Sequence, residues 1–155
     1  MKLTILALGF GFALVIGCGG ASPPPQTALE LQSIQQRDFE APKDLTFGAT
    51  ISVLQDLGYI VAGADTQTGF ITAQGATQRA NYRTDSQSKV TAFVESTGGE
   101  RTRVRLNFVV ANAKQACSLY TCRVRNEDEP ITDPAIYEQA FDKIGEAVFV
   151  RMASR

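Results

Sequence analysis

Val90-Thr91-Ala92-Phe93-Val94-Glu95 and Arg101-Thr102-Arg103-Val104-Arg105-Leu106-Asn107-Phe108-Val109-Val110, joined through Ser96-Thr97-Gly98-Gly99-Glu100, decide the fold. Val90, Ala92 and Val94 alternate with polar or larger neighbours. Val104, Leu106, Phe108 and Val110 alternate with Arg101, Arg103, Arg105 and Asn107. A period of two marks a strand with one buried face. A three-residue loop, Thr97-Gly98-Gly99, with Gly99 in the left-handed conformation, predicts a hairpin with a type I turn and bulge. That register pairs Ala92 with Val104 and Val90 with Leu106 on the buried face. It pairs Glu95 with Arg101, Phe93 with Arg103 and Thr91 with Arg105 on the other, and both faces agree with one register.

Upstream, Arg37-Asp38-Phe39-Glu40 reads as a short first strand, and Pro42-Lys43-Asp44 opens a helix with Asp44 as its cap. Phe47, Ile51, Leu54 and Leu57 recur at helical spacing as core residues, and Gly58 is placed to end that helix. Tyr59–Ala62 and Phe70–Ala73 read as strands around the turn-rich Asp65–Gly69. Gln74–Ser88 is polar and long for a connection, which predicts a mobile or contact-making segment. Downstream, Tyr120–Arg125 continues as a strand with Arg123 and Arg125 on one side, and Asn126–Pro130 reads as an acidic loop. Asp133-Pro134 starts a second helix with an apolar stripe of Tyr137, Phe141, Ile144, Val148 and Met152. The expected fold is α+β: a single two-layer domain with an antiparallel sheet of about five to six strands and two helices on one face.

The amino terminus carries the clearest information about location. Lys2 precedes an apolar or small run of 14 residues, Leu3–Ile16, which as a helix reaches only about 21 Å. Val15-Ile16-Gly17-Cys18 resembles the lipobox of bacterial lipoproteins, where the cysteine is acylated, typically with palmitate, and the leader is removed before it. An ordinary export signal with an incidental cysteine is the alternative. The resemblance implies residues 1–17 as signal peptide and Cys18 as the lipidation site. Residues 18–31, rich in Gly, Ser and Pro, then form an extended tether, and residues 32–155 form the globular domain. Gly19 after the cysteine resembles outer-membrane sorting, on the periplasmic face of a Gram-negative envelope.

Composition restricts the chemistry. The chain has no histidine among its 155 residues, so Ser-His-Asp, Cys-His and His-ligated metal sites are impossible. No P-loop, G-x-S-x-G, G-x-G-x-x-G or C-x-x-C pattern occurs. These absences point away from an enzyme and from a metal, nucleotide or haem cofactor. Without Lys2 the chain has 14 basic against 16 acidic side chains, a balance of −2 that implies neither nucleic acid nor an anionic membrane surface as partner. With Cys18 acylated, Cys117 and Cys122 remain as an even pair in Cys-Ser-Leu-Tyr-Thr-Cys. Export favours a disulfide between them, with a pair of free thiols as the alternative.

Arg37-Asp38-Phe39, Val53-Leu54-Gln55-Asp56-Leu57-Gly58-Tyr59, Asp65 and Gly69-Phe70-Ile71-Thr72-Ala73 resemble a family of small, mostly uncharacterised bacterial envelope lipoproteins, with their "LQDLG" helix end and "GxIxA" strand. The resemblance spans about residues 35–150 and implies an envelope lipoprotein without assigning chemistry to it. The layout also resembles the helix-grip domains of outer-membrane assembly lipoproteins.

Two clusters are candidate sites. Phe93, Arg101, Arg103 and Arg105, extended by Arg123 and Arg125, offer a face for an envelope protein partner, a phosphate-bearing lipid head or an anionic polymer. The bland reading is a solvated sheet face on which Glu95 and neighbouring acids pair the arginines. Asn126, Glu127, Asp128, Glu129 and Asp133 are hard oxygen donors but lack the spacing and the glycine of a calcium loop, which favours a solvated turn. The expected function is a non-catalytic, membrane-anchored interaction or assembly module. The alternative is a periplasmic carrier holding a small apolar ligand between helix and sheet.

Overall fold

The computed structural model describes residues 27–154, so the leader 1–17, the lipobox cysteine Cys18 and the proline-rich stretch up to residue 26 lie outside the described residues. The elements run α1 (Ala28–Ile34), β1 (Gln36–Phe39), α2 (Lys43–Asp56), β2 (Ile60–Asp65), β3 (Phe70–Asn81), β4 (Thr84–Gly98), β5 (Arg101–Cys117), β6 (Cys122–Pro130) and α3 (Pro134–Ala153). The strands form one six-stranded antiparallel sheet in the order β1-β5-β4-β3-β2. β6 joins the same edge of β5 as β1, further along the strand. The α+β class with an antiparallel sheet therefore holds, with three helices among the described residues rather than two.

The additional helix, α1, begins inside the stretch expected to be tether. Its cause is a capping box. Thr27 Oγ1 accepts from the Glu30 amide at 3.3 Å, and the Glu30 carboxylate accepts from the Thr27 amide at 2.7 Å. These bonds satisfy two donors that the first turn leaves free. The bond from the Thr27 amide holds the Glu30 carboxyl below its ordinary range. At α2 the correction is smaller. Pro42 is the N-cap and no side chain caps it, while Asp44 sits inside the first turn, where its charge suits the helix dipole. The helix stops at Gly58, whose φ is +86°. The Tyr59 amide donates to Leu54 and the Gly58 amide to Gln55, the reciprocal pair of a Schellman end.

The alternation read from β4 and β5 puts Val90, Ala92, Val94, Val104, Leu106 and Phe108 on one sheet face, joined by Ile71 and Ala73 of β3. α2 and α3 pack on each other and close this face. Leu54, Tyr137, Phe141 and Ile144 are at most 2 % exposed. Phe108 and Tyr137 meet edge to face at 5.2 Å. The Tyr137 hydroxyl donates to the Ile131 carbonyl at 2.8 Å and accepts from the Phe108 amide at 3.4 Å, so a buried phenol leaves no polar group stranded.

The hairpin register differs from the expected one by two residues. Ala92 pairs with Leu106, Val94 with Val104, Glu95 with Arg103 and Phe93 with Arg105. A slip of two keeps every side chain on its face, so the alternation could not detect it. The slip is made possible by a bulge between Ser96 and Gly98 and a turn at Gly99-Glu100 shorter than the three-residue loop expected. Gly99 does have positive φ, +60°.

Two stretches expected to be irregular are strands. Gln74–Ser88 folds as the outer parts of β3 and β4 with a turn at Tyr82-Arg83, and Asn126–Pro130 pairs with Val109–Ala113 as part of β6. The helices cover the sheet only as far as Phe108, so beyond it both faces meet water and polar residues suit both. The far ends of β3, β4 and β5, with β6, form a projecting arm. β6 is an edge strand, and its charges together with Pro130 protect its open side from pairing with another chain.

Candidate interaction face

On β5 the residues between the core positions point to the face that α2 and α3 leave uncovered. Arg103 lies between Asp38 of β1 and Glu95 of β4 in the register, and Arg105 between Gln36 and Phe93. The Arg103 guanidinium donates to Asp38 through Nε at 2.7 Å and Nη2 at 3.0 Å, a two-point grip on the carboxylate. Arg105 pairs with Glu95 at 3.1 Å and Arg101 with Glu40 at 3.6 Å. The hydrogen bond from Arg103 holds the Asp38 carboxyl below its ordinary range and raises the guanidinium in return. Each arginine of the Arg101, Arg103, Arg105 ladder thus has an acid beside it, and the three together present little net charge. Glu95 is one of the acids expected to do this. Asp38 and Glu40 come from β1 and the residue after it, whose pairing with β5 no sequence pattern signalled.

Arg123 and Arg125 do not extend this ladder. Their register partners are Ala116 and Lys114, which lie on the helix-side face of β5, whereas Arg101, Arg103 and Arg105 lie on the open one. The acidic candidates also separate. Glu127 and Glu129 follow Arg125 on one face of β6, and Asn126 and Asp128 lie on the other. Asp133 is instead the N-cap of α3, accepting from the Ala135 amide at 3.0 Å. No group of three Asp, Glu or Cys side chains that could hold a metal occurs among the described residues.

What the open face does gather is aromatic surface. Phe93 pairs in register with Phe70, which is 45 % exposed, and both lie on the uncovered side. A shallow concavity of about 350 Å³ runs past them, bounded by Arg105, Gln32 of α1, Gln36 of β1 and Gln35 between these two elements. Phe93 was expected here and Phe70 was not. Its signal was available: in Gly69-Phe70-Ile71-Thr72-Ala73, placing Ile71 and Ala73 in the core puts Phe70 on the other face. The site offers ring faces, amide donors and acceptors and one guanidinium.

Cys117 and Cys122 are register partners at the end of β5 and β6, at disulfide distance with Cα atoms 4.0 Å apart. They close the outermost hairpin, where the Ser118 amide donates to the Thr121 carbonyl at 2.8 Å. A second polar group of note was not legible in the sequence. Arg151 of α3 donates through Nη2 to Ser52 at 2.6 Å, while its Nη1 is buried with no partner among the described residues. No helix of the described residues is long and apolar enough to cross a membrane. No protein-family model matches the chain, and no curated protein matches it.

Proposed function

We propose that the chain is a lipid-anchored, non-catalytic module of the bacterial cell envelope that binds another protein through its open sheet face. The anchor rests on the lipobox-like Val15-Ile16-Gly17-Cys18. The observation that carries the binding role is the Phe70–Phe93 pair on an uncovered sheet face, beside a concavity bounded by amides and Arg105. Aromatic residues with arginine at the centre and a polar rim make the composition that anchors protein interfaces. A carrier would need room between helices and sheet. That layer is filled by Leu54, Ile71, Leu106, Phe108, Tyr137 and Phe141, which supports the interaction reading over the carrier.

The test separates anchor from face. Cys18→Ser should move the protein from membranes to soluble fractions. A photo-crosslinking amino acid at Phe93 or Phe70 should capture a protein adduct in cells, while the same probe at the exposed Phe149 of α3 should not. Equal capture from both faces, or none from Phe93 and Phe70, would remove the binding role.

A further inference from the structure

Among the described residues, the most exposed large apolar side chains cluster on the arm, away from the open face of the body. Leu119 and Tyr120, each 94 % exposed, form the apex of the β5–β6 hairpin, and Tyr82, 81 % exposed, lies in the β3–β4 turn. The two turns are neighbours, because the Gln115 amide donates to the Arg83 carbonyl at 2.8 Å. From the level of Gln115 the β5 strand rises about 7 Å further to the Cys117–Cys122 pair, and Leu119 and Tyr120 lie beyond that pair. The apex is therefore a narrow convex projection closed by a cysteine pair, with a ring of other groups set back behind it.

That ring is basic. Residues 79–85 and 113–125 contain five basic side chains, Arg79, Arg83, Lys114, Arg123 and Arg125, against one acid, Asp85. The rest of the chain holds ten basic against fifteen acidic. Arg79 pairs with Asp85, and Lys114 and Arg125 with Glu127. Arg83 and Arg123 have no ion-pair partner among the described residues, and the Arg83 guanidinium lies 4.9 Å over the Tyr82 ring.

We infer that the end of this arm is a membrane-contact tip, in which Leu119, Tyr120 and Tyr82 enter the headgroup layer of an anionic bilayer and Arg83 and Arg123 bind its phosphates. The chemistry selects a bilayer over a protein pocket. A convex apex of one aliphatic and one aromatic residue needs no matching cavity in a headgroup layer. Interfacial elements bury their apolar side about 5–10 Å deep, comparable to the reach beyond Gln115. Tyrosine suits that layer because its ring is apolar and its hydroxyl stays wet. An acidic body behind a basic tip would also be turned away from an anionic surface, so the arm would approach first.

The chain has no tryptophan, so Tyr120→Trp in the full chain provides a single local probe, independent of any anchor at the other end. The carrier would be vesicles of phosphatidylcholine with brominated acyl chains, alone or with phosphatidylglycerol. The expected result is blue-shifted, quenched emission on the anionic vesicles only, reversed by high salt. Arg83→Gln and Arg123→Gln should each weaken the anionic-vesicle effect about fivefold. Because residue 120 is almost fully exposed, the probe should leave the unfolding midpoint unchanged, and Leu119→Trp provides a second reporter. Emission that stays water-like on both vesicle types would overturn the inference, as would equal quenching on both. The first result would leave the basic tip to an acidic protein instead, and the second would remove phosphate binding by Arg83 and Arg123.

Discussion

Replacing Gly69 with alanine tests how the sheet edge is fastened to the core. Gly69 closes the β2–β3 turn with φ +80°, and its carbonyl accepts from the Val94 amide at 2.8 Å. A Cβ built there would overlap the Val94 carbonyl oxygen, inside the 3.0 Å that real Cβ contacts respect. Three costs follow. The left-handed backbone costs an L-residue about 1–2 kcal/mol. The hydrogen bond to Val94, if the strands part to relieve the overlap, is worth about 1 kcal/mol. Displacing Val94, which is fully buried between Val104 and the helices, costs about 1–3 kcal/mol as any overpacked core does. The sum is about 3–6 kcal/mol, a large part of the 5–15 kcal/mol that such domains have. Urea unfolding followed by circular dichroism should show the midpoint falling by about 2 M, taking a slope of about 2 kcal/mol per M. Gly58→Ala is the control. Its φ is similar at +86°, but nothing lies within 4 Å of the new Cβ, so only the backbone cost of about 1–2 kcal/mol remains. Equal losses in the two variants would refute the steric argument and leave backbone strain as the whole effect.

Three further outcomes follow from the geometry. Asp38 has a folded pKa below its ordinary 3.8, so the stability it contributes is fully present above that value and is lost as pH falls through the folded one. Asp38→Asn should therefore flatten the acid limb of the stability–pH curve, and an unchanged limb would show that the Arg103 grip does not hold β1 in solution. Cys117→Ser with Cys122→Ser should cost no more than about 2 kcal/mol, since so short a loop gains little from closure. Before that change, alkylation of the denatured native protein should need reductant to label either residue. Arg151→Met combined with Ser52→Ala removes the buried donor without a partner together with both ends of the Arg151–Ser52 bond and should leave stability unchanged or raise it slightly, whereas a loss above about 1 kcal/mol would mean that Nη1 has a partner in solution.

The parts of the fold that were legible are those where one face is buried. Alternation in β4 and β5 named Val90, Ala92, Val94, Val104, Leu106 and Phe108 as core-facing, although Val110 of the same run is only half-buried and the fully buried Thr102 was not named, and Gly58 and Asp133-Pro134 marked helix boundaries, because each of these signals has a local cause. Register was not legible, because a period of two is blind to a slip of two and Thr97 carries no mark of being the bulged residue. The outer ends of β3 and β4 and all of the acidic part of β6 were read as irregular for a related reason. With water on both faces, no pattern of burial is imposed on them, and their strands are held by the pairing of neighbours rather than by propensity. α1 was legible in principle, since Thr27-Ala28-Leu29-Glu30 has the spacing of a capping box, but a helix of 7 residues without a buried side chain shows no apolar stripe.

The candidate face was legible as a set of residues and not as a charge distribution. Arg101, Arg103 and Arg105 could be placed on one side of a strand from their spacing alone. Whether they were free depended on Asp38 and Glu40, more than sixty residues earlier, and on a β1–β5 pairing that composition does not encode. The overall balance near zero misleads in the opposite direction at the arm. Net charge describes the field far from a molecule, whereas at contact the groups within about one Debye length, near 8–10 Å, dominate. The body can neutralise its arginines with acids on adjacent strands because its sheet brings five strands side by side. Arg83 and Arg123 sit on turns and an edge strand, where a residue has a neighbour on one side only. With no ion-pair partner among the described residues, whereas Arg125 on the same edge strand reaches Glu127, they let a chain with slightly more acids than bases present a basic end.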